Sequence, residues 1–182
     1  HKLQKQFDMV TRLMKAHVDQ KIDTERDLFL VEGGGFDTHA NNMEGTRALY
    51  AQLNAALDQF HKELSDAGLW DNVAVVIQSD FGRCLLSNGQ GTDHGWGGNY
   101  FVTGGAVRGS QILGKYPPNL DPTVSEEILG RNARMVPTTS WEDVWYGLGQ
   151  WMGVKEDQMD EFLPNLKNMH ISTRIPQTKM FQ

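Results

Sequence analysis

Leu28-Phe29-Leu30-Val31-Glu32-Gly33-Gly34-Gly35-Phe36-Asp37-Thr38-His39 is the stretch on which the fold class turns. Four consecutive apolar residues run into three glycines. A short apolar run closed by glycines predicts a strand buried on both faces, as in a parallel sheet. A second stretch is built the same way. Val73-Ala74-Val75-Val76-Ile77 is apolar throughout and runs into Gln78-Ser79-Asp80-Phe81-Gly82-Arg83. Between the two, Leu49, Leu53, Ala56, Leu57, Phe60 and Leu64 form one stripe at helical spacing, which predicts a helix over 46–67 stopped by Gly68. Strand, loop, helix, strand, loop is the alternation of an α/β fold. The expected architecture is a mostly parallel sheet flanked by helices.

Working outward, Leu3, Phe7, Val10, Leu13, Met14 and Val18 predict an amphipathic helix over 2–20. Residues 87–98 are polar and glycine-rich and are expected to form a loop. Tyr100-Phe101-Val102 predicts a third strand, closed by Gly104-Gly105. Residues 106–125 carry Pro117, Pro118 and Pro122 and read as an irregular excursion, and 126–136 fit no single element. Thr138, Thr139 or Ser140 can cap a last helix, with Glu142 and Asp143 in its first turn and Val144, Leu148, Trp151 and Met152 as its stripe. Gly153 ends it. Residues 155–182 are polar, contain Pro164 and Pro176, and are expected to be a loosely packed tail. There is no internal repeat and no low-complexity tract.

The totals restrict the function classes. A chain of 182 residues is one domain or a large part of one. Its 17 basic against 23 acidic residues give a net charge of −6, which argues against general nucleic-acid binding and against docking on anionic membranes. The one cysteine, Cys84, rules out an intrachain disulfide and reads as a packed small residue. No apolar run approaches the ~20 residues that cross a bilayer. No signal peptide is visible, and the chain starts at His1 rather than Met. It is therefore expected to be a piece of a longer protein, with any targeting segment upstream.

Gly91-Thr92-Asp93-His94-Gly95-Trp96-Gly97-Gly98 packs an acid, an imidazole and a tryptophan among four glycines. In doubly wound folds ligands sit beyond the carboxyl ends of the strands. Parallel strands at 28–31 and 73–77 would place Asp37 and His39, and Asp80 and Arg83, at one sheet edge. The loop 91–98 would fold back over that edge and bring Asp93 and His94. Three carboxylates and two imidazoles suit a divalent ion, zinc or manganese being the expected cofactor. Such an ion polarises a phosphoryl or sulfuryl oxygen and activates a bound water. Arg83 offers a planar fork for an anion. Each motif also has a plain reading: Asp37 and His39 as a turn residue and a surface histidine, Asp80 with Gly82 as an ordinary turn, Asp93-His94 as a surface loop. Trp96 fits a packing lid as well as a substrate contact. His17, His61 and His170 receive no role.

Gly34-Gly35-Phe36-Asp37-Thr38-His39, Ser79-Asp80-Phe81-Gly82-Arg83 and Gly91-Thr92-Asp93-His94-Gly95 occur in that order. Together they resemble the hallmarks of the bacterial domain-of-unknown-function family 1501. Asn88-Gly89, Gly104-Gly105, Val136-Pro137-Thr138-Thr139 and Trp151-Met152-Gly153-Val154 extend the resemblance over about residues 27–154. That family is similar to the alkaline phosphatase and sulfatase superfamily, and its members are usually exported. The resemblance implies that residues 1–154 are the C-terminal part of an alkaline-phosphatase-like domain. It implies metal ligands at Asp37, His39, Asp80 and His94. It also implies a nucleophile and an early Asp ligand from an N-terminal half upstream of His1. Phe81 departs from the pattern, because the superfamily has a histidine there, and Glu is more usual at position 80.

The leading expectation is a metal-dependent hydrolase of small anionic phosphate or sulfate esters. In it Asp37, His39, Asp80 and His94 bind the metal, Asp93 assists and Arg83 holds the anion. The expected location is periplasmic, extracellular or lumenal, with another chain or an N-terminal half completing the domain. The alternative is a non-catalytic structural or interaction module that keeps the fold without the activity. Phe81 favours it, as do Trp141, Trp145 and Trp151 if they are interface anchors.

Overall fold

The computed structural model describes residues 2–20 and 22–182. In chain order the elements are α1 (Lys2–Asp19), α2 (Asn42–Asp66), β1 (Val75–Ile77), β2 (Gly82–Ser87), β3 (Thr92–Gly95), β4 (Phe101–Thr103), β5 (Ile128–Leu129), β6 (Arg134–Met135), α3 (Trp141–Trp151), α4 (Met159–Phe162) and α5 (Gln177–Met180). They fall into two compact units. The first is His1–Val73 with Ser87–Asp93, and the second is Ala74–Leu86 with His94–Gln182.

The first unit is a helix pair. The stripe of α1 buries Phe7 and Val10, and that of α2 buries Ala56, Phe60 and Leu64 at successive intervals of four. The rings of Phe7 and Phe60 lie 4.9 Å apart, and Trp70 meets Phe60 edge-on at 6.3 Å. Each fully buried large apolar side chain stabilises the unit by roughly 1.5–3 kcal/mol, so Phe7, Phe60 and Leu64 dominate its energetics. The end of α2 is set by Gly68, which takes φ 68°. Gly68 N–H donates to Ser65 O at 3.0 Å and Leu69 N–H to Leu64 O at 2.8 Å, the paired bonds of a Schellman stop. The helix begins at Asn42, four residues before the expected start at 46.

The strand expected over 28–31 does not form. Leu28 is 81% exposed and Leu30 83%. A strand needs a neighbour for its backbone donors and acceptors. Among the described residues no strand pairs with this segment. It is tethered instead by Gln6, whose amide donates to Glu32 O at 2.9 Å and accepts from Glu32 N–H at 3.0 Å.

The second unit is built on α3. Leu148 joins Ile175, Met180 and Phe181 in a buried cluster, with Val76 of β1 and Val102 of β4 packed against it. The Trp151 and Phe181 rings stack at 4.8 Å. Residues 155–182 are therefore not a loose tail: Met159, Leu166, Ile175, Met180 and Phe181 are all buried. Their apolar residues are spaced irregularly across short turns, so no periodicity marks them in the sequence. Ser140 caps α3 as expected, in a reciprocal box with Asp143. Asp143 is 2% exposed, yet each carboxylate oxygen has a donor. Ser140 N–H and Oγ–H reach Oδ2 at 2.8 and 2.9 Å, and Thr173 Oγ1–H reaches Oδ1 at 2.9 Å. A single buried carboxylate thus ties the start of α3 to the C-terminal segment.

The expected fold class is overturned. Helix makes up 41% and strand 12%, and among the described residues every sheet has two strands. β1 and β4 pair antiparallel in the register Val76↔Val102, and β5 pairs antiparallel with β6. This is neither a mostly parallel sheet flanked by helices nor an alkaline-phosphatase-like architecture. Val73–Ile77 does contain a strand, but its partner is Phe101–Thr103 rather than 28–31. The expected loop 87–98 also hides β3. Asn88-Gly89 between two strands is a hairpin turn signal that outweighs the polar composition around it. No helix among the described residues is long and apolar enough to cross a membrane.

Replacing Asp143 with Ala removes the box, leaves Ser140 N–H without its acceptor and breaks the bond to Thr173, whose hydroxyl keeps only His170 O at 2.7 Å. The expected loss is about 2–4 kcal/mol, read from the urea midpoint. An unchanged midpoint would show that Asp143 does not hold the C-terminal segment.

Candidate functional site

In the first unit the loop after the three glycines is pinned at alternate residues. Phe36 packs edge-on against Tyr50 of α2 at 5.5 Å, and Thr38 Oγ1–H donates to Asn42 Oδ1 at 2.6 Å. A bond from Thr38 N–H to Phe36 O at 3.0 Å turns the chain here, and the residues beside the two anchors are left exposed. Asp37 and His39 are those residues. Asp37 Oδ1 lies 3.0 Å from His39 Nε2, with the two side chains 53% and 50% exposed.

The tip of the β2–β3 hairpin supplies the third group. Asn88 N–H donates to Gly91 O at 3.0 Å, and Asn88 Oδ1 accepts from Gln90 N–H and Gly91 N–H at 3.1 and 2.8 Å. Ser87 Oγ–H donates to Gly91 O at 2.8 Å. The tip is therefore held by its own side chains. Gly91 is buried where its backbone passes that of the Asp37–His39 loop. A Cβ there would lie 2.6 Å from His39 C and 2.8 Å from Thr38 O, which no side chain tolerates. That approach sets Asp93 Oδ1 3.4 Å from His39 Nδ1. Asn88 Nδ2–H donates both to Asp93 Oδ1 at 3.1 Å and to His39 O at 3.3 Å. One imidazole thus faces a carboxylate at each ring nitrogen. Asn88 is the member that the sequence did not assign; its place in a turn between two candidate segments was the available signal. A groove of about 420 Å³ runs between the start of α2 and the hairpin tip, lined by Asn41, Glu44, Gln90 and Thr92 among others. None of Asp37, His39 and Asp93 lines it.

In the second unit His94 belongs to a layered stack. The Phe81 and His94 rings lie 3.9 Å apart at 11°, and the Arg83 guanidinium sits over Phe81 at 5.7 Å. Gly82 makes this possible, since a Cβ there would be 1.9 Å from Gly97 O. Cys84 is buried as expected, its thiol donating to His94 O at 3.0 Å. Trp96 is exposed, with Arg134 over its ring at 5.9 Å. Asp80 lies near Tyr100. Partial burial, and then the Asp80 charge, push the Tyr100 phenol above its ordinary value.

No parallel sheet edge gathers the expected residues, and each unit brings only some of them together. Asp37, His39 and Asp93 meet in the first unit through the hairpin tip. His94, Phe81 and Arg83 meet in the second at the hairpin base, and Asp80 stands by Tyr100.

Residues 6–160 match the family described as "Protein of unknown function (DUF1501)". The chain belongs to that family. The matched stretch holds every residue of both clusters, so the motif resemblance at 34–39, 79–83 and 91–95 sits inside it. Residues 161–182 lie beyond it and carry Ile175, Met180 and Phe181 of the second unit's core. No curated protein and no solved structure matches the chain.

Two outcomes follow for this DUF1501 member. Gly91→Ala is expected to cost roughly 1–3 kcal/mol in denaturant unfolding, because backbone cannot yield to the new methyl. Gly34→Ala, with nothing within 4 Å of the added atom, serves as the control and stays within about 0.5 kcal/mol. Separately, Asp80→Asn removes one cause of the raised Tyr100 phenol. Tyrosinate absorbance in alkaline titration should then appear at lower pH than in the parent, and an unmoved curve would remove Asp80 from the Tyr100 environment. Tyr100 holds its proton more tightly in the folded state, so it is neutral for stability below about pH 10 and becomes unfavourable only as pH rises above that.

Proposed function

We propose that the protein binds a divalent metal ion, zinc or manganese, at Asp37 and His39 and uses it to hydrolyse phosphate or sulfate esters. The observation that carries this is the 3.0 Å separation of Asp37 Oδ1 and His39 Nε2. Two donors bound at ~2.0–2.2 Å to one tetrahedral or octahedral ion stand roughly 2.9–3.4 Å apart, a spacing that a shared ion and a direct hydrogen bond both give. Asp93 supports the assignment from behind. A proton on Nδ1 directed at Asp93 leaves the Nε2 lone pair facing Asp37, the carboxylate–imidazole arrangement that orients a ligating histidine. Asn88, donating to the same Asp93 oxygen, holds that carboxylate in place.

The ion, when bound, supplies Lewis acidity and lowers the pKa of its water. The remaining roles belong to the chain. The assignment of Arg83 to the anionic ester rests on the chemistry of its planar guanidinium, and within the second unit that group sits over Phe81 at 5.7 Å. The ligand roles of Asp80 and His94 rest on the motif resemblance to the alkaline phosphatase and sulfatase superfamily. So does export to a periplasmic, extracellular or lumenal location. A nucleophile would come from an upstream segment or another chain.

A second reading has its own observation. Leu28 and Leu30 are more than 80% exposed on extended chain that no described strand pairs with. Contiguous exposed apolar surface marks a place where partners dock. The protein would then be a non-catalytic interaction module.

Purified protein is expected to retain about one zinc or manganese per chain by elemental analysis. Asp37→Ala and His39→Ala should abolish that retention, and Asp93→Asn should weaken it about 10- to 100-fold, as loss of a ligand-orienting group does. Full retention by His39→Ala would end the metal assignment. Hydrolysis of aryl phosphates or sulfates separates the two readings: metal retention without turnover of either ester favours the interaction module.

A further inference from the structure

We propose that Phe81 is a positioning residue for the His94 imidazole, and so does not mark a metal ligand that has been lost. The proposal rests on the reading of His94 as a metal-binding imidazole. Its evidence lies wholly within the second unit. A histidine side chain turns about two bonds, and a metal or proton partner must approach a ring nitrogen in the ring plane. Whatever fixes that plane therefore decides where the nitrogens can act.

In this chain the backbone and the ring of His94 are fixed separately. The backbone is held by the Cys84 thiol, which donates to His94 O at 3.0 Å. It is held again at Gly95, where a Cβ would come 2.7 Å from Arg83 C. The ring is held by Phe81, parallel within 11° at 3.9 Å. Arg83 sits over Phe81 at 5.7 Å, which limits the space in which the phenyl ring can turn. Stacking occupies one face of the imidazole and fixes the plane in which its nitrogens lie. A histidine at position 81 would add a donor there and give a weaker apolar face. A flat apolar ring supplies orientation without competing for the ion.

The test combines a spectroscopic signature with metal binding. In proton NMR the ring protons of His94, assigned by their loss in His94→Ala, should be shifted upfield by the Phe81 ring current. In Phe81→Leu they should move downfield. Zinc affinity by calorimetry should fall about 10- to 100-fold in Phe81→Leu, recover in Phe81→Tyr, and fall further in His94→Ala. Circular dichroism checks that each variant is folded, and Phe81→Met, flexible and non-planar, makes the same comparison if the Leu variant is not. His94 signals that do not move in Phe81→Leu overturn the stack and the proposal. Parental zinc affinity in Phe81→Leu, with a loss in His94→Ala, overturns the positioning role and leaves the ligand reading standing. Parental affinity in His94→Ala overturns the ligand reading, and the positioning role with it.

Discussion

Backbone passing directly against backbone is the constraint on which this structure depends. At Gly91 the hairpin tip crosses the Thr38–His39 main chain so closely that a single methyl would overlap it. At Gly82 the hairpin base does the same against Gly97. The residues beside these crossings are the ones with chemistry. Asp93 reaches His39 because Gly91 yields its side-chain space, and Phe81 and Arg83 flank Gly82 in the same way. Glycine costs backbone entropy in a strand. Its density in 82–98 is the cost of bringing charged and aromatic side chains to fixed positions on short, two-stranded sheets.

The two clusters use different physics. In the first unit the arrangement is electrostatic and open: two carboxylates about one imidazole, half exposed, with Asn88 bracing the assembly. Exposed pairs of this kind contribute little to stability by themselves. Their geometry is maintained by the turn beneath them, which four side-chain hydrogen bonds within Ser87–Gly91 make rigid. In the second unit the arrangement is one of stacked planes. Phenyl and imidazole lie parallel, and the guanidinium carbon stands 5.7 Å from the phenyl centre, contacts that aromatic quadrupoles and cations favour. Phe81, the residue that departs from the superfamily pattern, makes both of these contacts.

Much of the local structure was legible. The stripes of α1 and α2, the Gly68 stop, the Ser140 cap and the strand at Phe101–Thr103 all follow from periodicity or capping chemistry within a few residues. The site residues were legible as types, because acids and histidines beside glycines have few structural uses. The mistake lay in non-local pairing. Leu28–Val31 and Val73–Ile77 carry similar strand signals, yet only the second finds a partner among the described residues. Apolar content cannot distinguish a strand with a neighbour from one without. The tail misled for the opposite reason. Its buried residues, Met159, Leu166, Ile175, Met180 and Phe181, are separated by irregular turns and show no period.

By itself, then, the sequence determined the three long helices to within a few residues, the Gly68 stop and Ser140 cap, the family to which the chain belongs and a short list of candidate site residues. These depend on interactions between residues within about one or two turns of each other, which spacing records directly. Only the tertiary structure decided that the strands pair in antiparallel twos, that Asp93 rather than a sheet edge completes the His39 cluster, and that Phe81 lies flat on His94. Those outcomes depend on which backbone groups find partners across tens of residues, and on whether a glycine stands where two chains must touch.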